Sequence, residues 1–149
     1  MYKTGTDIEK TERIKDAFEK IKNRVYTDGE LAYIESRGAG KFQTATGIFC
    51  AKEAFSKAIG TGITGFSLKD VEVGHSSHGR PYFSFSGKLS HFSADRFSLS
   101  ISHTEDIATA TVIFDGVFFP PEKRKYVLTS QMMKNADKAA AKALGSSLA

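Results

Sequence analysis

Ile48, Ala51, Phe55, Ala58 and Ile59 recur at the i, i+3, i+7, i+10, i+11 spacing of a buried helical stripe. They predict a central helix over residues 49–62, stopped at its end by Gly60 and Gly62. Upstream, Ile14, Phe18, Ile21 and Val25 trace the apolar side of an amphipathic helix over residues 10–24. A short extended segment over residues 2–8 leads into that helix. A loop near residues 27–29 separates it from a second helical stretch at residues 30–36. Arg37-Gly38-Ala39-Gly40-Lys41 predicts a flexible basic loop before the central helix.

After Gly65 the period changes from helical to alternating. Residues 68–73 and 82–86 read as strands joined by a turn over residues 75–81, with Phe83 and Phe85 on one face. Residues 88–96 form an irregular or short helical connector. Then Phe97, Leu99, Ile101 and His103 face one way while Ser98, Ser100 and Ser102 face the other. Thr104-Glu105-Asp106 makes a tight turn, and residues 108–114 return as the second strand of an antiparallel hairpin with His103 at its tip. Helices first and antiparallel strands afterwards predict an α+β domain over residues 1–116. Phe118-Phe119-Pro120-Pro121 punctuates the chain, and a Lys/Ala-rich helix is expected over residues 122–144. Residues 117–149 are therefore expected to be a C-terminal helical extension and not a separate domain.

Composition narrows the class. The 149 residues are 40% hydrophobic and 26% charged, values of an ordinary globular domain. No run of 18 apolar residues occurs, and the N-terminal MYKTGTDIEK lacks the apolar core of a signal peptide, so no membrane association is expected. The single Cys50 has no internal disulfide partner, which fits a reduced, cytoplasmic setting. A net charge of +4 suggests an anionic partner. Much of it is local: Lys10, Arg13, Lys15, Lys20, Lys22 and Arg24 outnumber Glu12, Asp16 and Glu19 in the first helix. That face is either simply solvated or a docking surface for an acidic protein, a phosphate-rich ligand or nucleic acid.

The candidate chemistry is sparse. Glu53 and Lys57 lie four apart on one face of the central helix, as a surface ion pair or as half of a site. Asp7 closes the first extended segment and could cap a helix, stay exposed or ligate a metal. Were Asp7 and Glu53 to meet beside phosphate oxygens, they would make a Mg²⁺ site. His75 and His78, three apart in a Gly/Ser turn, have no further His or Cys pair to complete a metal site. His103 is placed to touch a ligand or to serve as a core histidine. Gly79-Arg80-Pro81-Tyr82 is a turn whose arginine would suit a phosphate. The P-loop, dinucleotide and nucleophile-elbow glycine patterns are absent, as are tryptophan and an aromatic ribonucleoprotein motif, so no nucleic-acid partner is favoured.

Taken in order, these segments share a pattern. Gly5-Thr6-Asp7-Ile8-Glu9 is followed by Glu12-Arg13-Ile14, and then by the continuous run Phe49 through Ile63, FCAKEAFSKAIGTGI. Gly79-Arg80-Pro81-Tyr82 and Ser100-Ile101-Ser102-His103-Thr104 complete it. Together they resemble the holo-(acyl-carrier-protein) synthases, the small stand-alone branch of the phosphopantetheinyl transferases, over residues 2–114. The resemblance implies a phosphopantetheinyl transferase-like fold and a homotrimer with its sites between subunits. It implies transfer of the 4′-phosphopantetheine arm of coenzyme A to a serine of apo acyl carrier protein, in fatty acid biosynthesis, releasing adenosine 3′,5′-bisphosphate.

By the same resemblance, Asp7 and Glu53 would hold Mg²⁺ against the pyrophosphate, and Glu53 would also orient or accept the serine proton. Lys57 would neutralise the leaving phosphate, and Gly60 would let the phosphates approach. His103 and Thr104 would contact nucleotide phosphates, and Arg80 with Pro81 would line the nucleotide site from a neighbouring subunit. Arg13 and Arg24 would meet the carrier protein. Ile48 stands where the family commonly has arginine, so that a basic contact is lost or supplied by Lys41. The alternatives are the same chemistry on a polyketide or peptide carrier domain, or a non-catalytic basic module.

Overall fold

The computed structural model describes residues 1–116, and the helix expected over residues 122–144 lies outside the described residues. In chain order the elements are β1 (Tyr2–Lys10), α1 (Thr11–Val25), α2 (Asp28–Ser36), α3 (Lys41–Ile59), β2 (Val71–His75), β3 (Pro81–Phe85), β4 (Phe97–His103) and β5 (Ile107–Asp115). β1, β5 and β4 form an antiparallel sheet in that order, and β2 and β3 form a separate hairpin. This is the α+β architecture expected from the pattern. The first extended segment runs further than predicted, because β5 pairs with it residue by residue down to Lys10 and Ile107. Asp7 consequently lies within the strand, opposite Ala110, and not at its end.

Alternation on β5 turns Ala108, Ala110, Val112 and Phe114 inward, where each is buried. On that face lies α3, which is longer than its stripe suggested and begins at Lys41. Its first turns carry threonine and glycine, weak helix formers. Packing overrides that weakness: Phe42 meets Phe18 edge-on at 5.6 Å, and Gly47 passes so close to β4 that a Cβ there would stand 2.9 Å from Ile101 Cγ2. The expected flexible loop shrinks to a single 3-10 turn, Gly38–Gly40. At the other end Gly60 adopts φ 76°, a left-handed stop closed by its N–H to Ser56 and Lys57 carbonyls.

The strand expected at residues 68–73 starts later, at Val71. The Ser67 hydroxyl accepts from the Lys69 N–H and the Asp70 carboxylate from the Ser67 N–H, capping Leu68–Asp70 as a 3-10 turn. His75, expected in the turn, is the last strand residue and pairs with Pro81. Phe55 anchors the core beyond, with Phe66, Phe83, Phe85, Phe92 and Phe97 all packed around its ring.

One buried ion pair ties the helices together. Lys52 and Glu30 are both fully enclosed, with Nζ 2.7 Å from Oε2. Lys52 also donates to the carbonyls of Val25 at 2.7 Å and Leu68 at 2.9 Å. Glu30 accepts in addition from the N–H groups of Thr27 and Val73, both at 2.8 Å. Burial pushes the Glu30 carboxyl up and the Lys52 ammonium down from their ordinary values, opposed by their mutual attraction. Three partners on each group offset the cost of removing both charges from water.

The tightest backbone contact is at Gly5. A Cβ built there would lie 1.9 Å from the Ala54 carbonyl oxygen and 2.6 Å from the Ala58 nitrogen. Gly5→Ala is therefore expected to cost at least about 3 kcal/mol in urea unfolding, through overpacking against backbone that cannot move aside. Gly40→Ala, at φ −85° with open space around its Cβ, is the control and should change stability by less than about 1 kcal/mol. Equal effects would contradict the close approach. Cys50 is fully buried between α3 and β5, its thiol 3.4 Å from the Ala108 carbonyl. Burial, reinforced by the negative charge of Asp7, pushes that thiol up to about 12. A thiol reagent at mildly alkaline pH should leave the folded protein unmodified and label it fully in denaturant. Rapid labelling of the folded protein would contradict this placement.

Candidate active site

Because α3 lies so low over Gly5, the strand residue two positions on meets the helix flank. Asp7 Oδ1 lies 2.7 Å from Lys57 Nζ, which also donates to the Thr6 carbonyl at 2.9 Å. Thr109 on β5 donates to the Asp7 carbonyl at 2.8 Å. Lys57 is half exposed and Asp7 is 15% exposed, so the pair opens to solvent on one side. The hydrogen bond to Asp7 raises the Lys57 ammonium above its usual value.

Glu53 lies one turn before Lys57 and is partly buried. Burial first, then the charge of Asp7, raises its carboxyl above the ordinary range, while Lys57 pulls the other way. Lys57 therefore bonds to a strand residue and forms no salt bridge with Glu53 in the structure. The surface Glu–Lys pair, one of the two readings of their spacing, is not what the fold makes. Asp7, Glu53 and Lys57 are brought together, with Gly60 following at the end of the same helix.

The other sequence candidates lie elsewhere. α3 crosses the sheet diagonally, with Ala54 and Ala58 over β1 and Gly47 over β4. Asp7 and Ile101 face each other across Ala110 of β5, about 10 Å apart at ordinary strand spacing. His103 is further along β4, on the far flank of α3. There it borders a cavity of about 190 Å³ together with Pro81, Ile48 and Ile101. Thr104 is held in the β4–β5 turn, its N–H donating to the Ile107 carbonyl and its hydroxyl accepting from the Ile107 N–H. Arg80 is exposed in the β2–β3 turn and is not part of the cavity wall. Within one protomer, then, Asp7, Glu53 and Lys57 form one cluster, Pro81 and His103 another, and α3 stands between them.

Arg13 and Arg24 lie on α1, whose apolar stripe is buried through Ile14, Phe18 and Val25. Arg13 is 74% exposed and paired to Glu9 at 2.5 Å. Lys41 pairs with Glu35 at 3.3 Å and is not among the residues that border the cavity beside Ile48. Ile48 is itself only 1% exposed. His75 and His78 do not converge on a metal: His75 stacks on Tyr33, while His78 meets Ser77. Among the described residues no group of three or more His, Cys, Asp or Glu side chains could hold a metal ion.

Sequence reasoning missed Lys52. It stands four residues after Ile48 and three before Phe55, inside the apolar stripe, and a lysine there is buried and must find an acid. It also missed Gly5, whose signal was a glycine within an otherwise β-forming run.

The 4′-phosphopantetheinyl transferase superfamily model matches residues 3–112. A holo-[acyl-carrier-protein] synthase of Fusobacterium nucleatum is 44% identical over 116 residues, 73% of this chain and 94% of that protein. The crystal structure of a holo-(acyl-carrier-protein) synthase from Bacillus anthracis in complex with CoA (3′,5′-ADP) is 34% identical. It superposes with a TM-score of 0.66, covering 77% of this chain and 96% of that one. The Helicobacter pylori holo-[acyl-carrier-protein] synthase in complex with coenzyme A is 28% identical, with a TM-score of 0.64 over 75% of this chain and 99% of the other. The resemblance carried by the motifs thus extends over the whole described fold, and the chain belongs to the holo-(acyl-carrier-protein) synthase family of the 4′-phosphopantetheinyl transferase superfamily.

Proposed function

We propose that residues 1–116 transfer the 4′-phosphopantetheine arm of coenzyme A to a serine of apo acyl carrier protein, in the cytoplasm, in fatty acid biosynthesis. The observation that carries this reading is the convergence of Asp7, Glu53 and Lys57 beneath the crossing at Gly5, in a chain of this family. Asp7 and Glu53 supply two hard carboxylate oxygens without a third protein ligand. That set suits Mg²⁺, which binds through one or two carboxylates, keeps waters and takes the remaining oxygens from a phosphate. When bound, Mg²⁺ supplies positive charge to the phosphate oxygens, where the transition state accumulates negative charge.

The chain's own residues do the rest. The carrier serine oxygen forms a bond to the phosphorus that bears the pantetheine arm, and the pyrophosphate bridge to that phosphorus breaks. Adenosine 3′,5′-bisphosphate leaves. Glu53, with its carboxyl raised by burial and by Asp7, takes up the serine proton. Lys57 is half exposed and free to turn its ammonium from Asp7 towards the leaving phosphate. Gly60 presents no side chain to the phosphates. Much of the rate gain comes from positioning and electrostatics, and the chain needs no nucleophile.

Arg13, Arg24 and the basic outer face of α1 meet the acidic carrier, where complementary charge speeds encounter. Arg80, Pro81, His103 and Thr104 complete the nucleotide site of a neighbouring copy in a homotrimer. The face of the sheet turned away from α3 supports that assembly, since Tyr2, Ile8, Ile107 and Ile113 are 74%, 66%, 41% and 43% exposed. No helix among the described residues is long and apolar enough to cross a membrane.

With coenzyme A, Mg²⁺ and apo carrier protein, the carrier should gain the mass of one phosphopantetheine arm. Glu53→Ala should slow this by at least about 100-fold while the melting temperature stays near wild type. No gain on any acyl, polyketide or peptide carrier, together with steeply salt-dependent binding to nucleic acid, would favour the basic-module alternative.

A further inference from the structure

The first turn of α1 reaches back onto the end of β1 and pairs there with an acid outside the proposed site. Gly5, Asp7 and Glu9 alternate with the exposed Thr4, Thr6 and Ile8 along β1, so Glu9 shares with Asp7 the face that α3 covers. Two residues along a strand span about 7 Å. The Glu9 charge is felt at the site: after burial and Asp7, it helps to raise the Glu53 carboxyl. Asp7, Glu9 and Glu53 also all act on the buried Cys50 thiol, so the three stand near one point of the seam between α3 and the sheet.

Glu9 is already engaged. Its Oε1 accepts from the Lys10 N–H at 2.8 Å and its Oε2 from Arg13 Nη1 at 2.5 Å. The two partners differ in access: Glu9 is 12% exposed and Arg13 74% exposed, so only the arginine faces an incoming protein. Arg13 is also the residue proposed to meet the acidic carrier. A carboxylate of the carrier therefore competes with Glu9 for one guanidinium. While Arg13 stays on Glu9, the two charges offset each other. Once Arg13 turns to the carrier, the Glu9 charge stands uncompensated near Asp7 and attracts a divalent cation.

We infer that Glu9 and Arg13 couple carrier docking to metal binding: Arg13 held on Glu9 leaves the Mg²⁺ site weak, and a carrier that takes Arg13 frees the Glu9 charge to strengthen it. Glu9 acts here through its charge and not as a ligand. The inference rests on the reading of Asp7 and Glu53 as the Mg²⁺ carboxylates and of Arg13 as a carrier contact, and adds to it the link between the two. Such coupling is reciprocal, so Mg²⁺ tightens carrier binding by the same factor.

Titration calorimetry of Mg²⁺ into the coenzyme A complex tests it, with and without an acyl carrier protein whose acceptor serine is alanine, so that no transfer occurs. Wild type should bind Mg²⁺ about three- to tenfold more tightly with the carrier present, the worth of one screened charge at this range. Arg13→Gln should bind Mg²⁺ that tightly without any carrier. In Glu9→Gln the carrier should change Mg²⁺ affinity by less than about twofold. Unchanged Mg²⁺ affinity in Arg13→Gln, or coupling kept in Glu9→Gln, would overturn the inference and leave the coenzyme A reading standing. Failure of the wild type to bind coenzyme A at all would overturn both.

Discussion

The depth at which α3 lies on the sheet is set by a missing side chain. At Gly5 the strand passes so close to the Ala54 carbonyl that no Cβ fits, and at Gly47 a Cβ would meet the Ile101 side chain at 2.9 Å, a milder contact. These two contacts lie towards opposite ends of α3 and fix its diagonal course from β4 to β1. Asp7 reaches Lys57 only because the helix is this low. Small-residue contacts of this kind permit close approach of backbone to backbone, which a larger residue would convert into strain.

Depth alone does not set which side of the helix faces the strand. That is the part played by Lys52, whose ammonium uses its three donors on Glu30, Val25 and Leu68. Successive helix residues differ by about 100° around the axis. Fixing Lys52 inward therefore leaves Glu53 at the flank, beside Asp7 and one turn from Lys57. A buried ion pair gives little net stability compared with an apolar pair of the same volume, and its use here is to specify one rotation of α3. The consecutive Lys52 and Glu53 thus divide structure and chemistry between them.

The helical stripe, the period change after Gly65 and the β4–β5 hairpin were legible because each is a local repeat. The start of α3 was not, since Phe42, Thr44 and Gly47 look like loop residues until Phe18 and Ile101 pack against them. Spacing alone could not join Asp7 to Glu53, and only the resemblance did, because their meeting depends on α3 packing over β1 at Gly5. The Glu53–Lys57 spacing suggested a surface pair, and a partner on another element won. The cavity beside His103 was hidden for a related reason: it is assembled from α2, α3, the β2–β3 hairpin and β4, and no window of sequence contains it.

The same geometry puts Asp7, Glu53 and Lys57 on one flank of α3 and Pro81 and His103 on the other, which is the basis of the proposal that two copies of the chain complete one site. The most direct test mixes two variants, Glu53→Ala and His103→Ala, each with little transfer activity alone, under conditions that allow subunit exchange. The account predicts recovery towards about one quarter of wild-type activity, the share of interfaces that pair two intact halves after random exchange. A mixture no more active than the sum of its parts would contradict it.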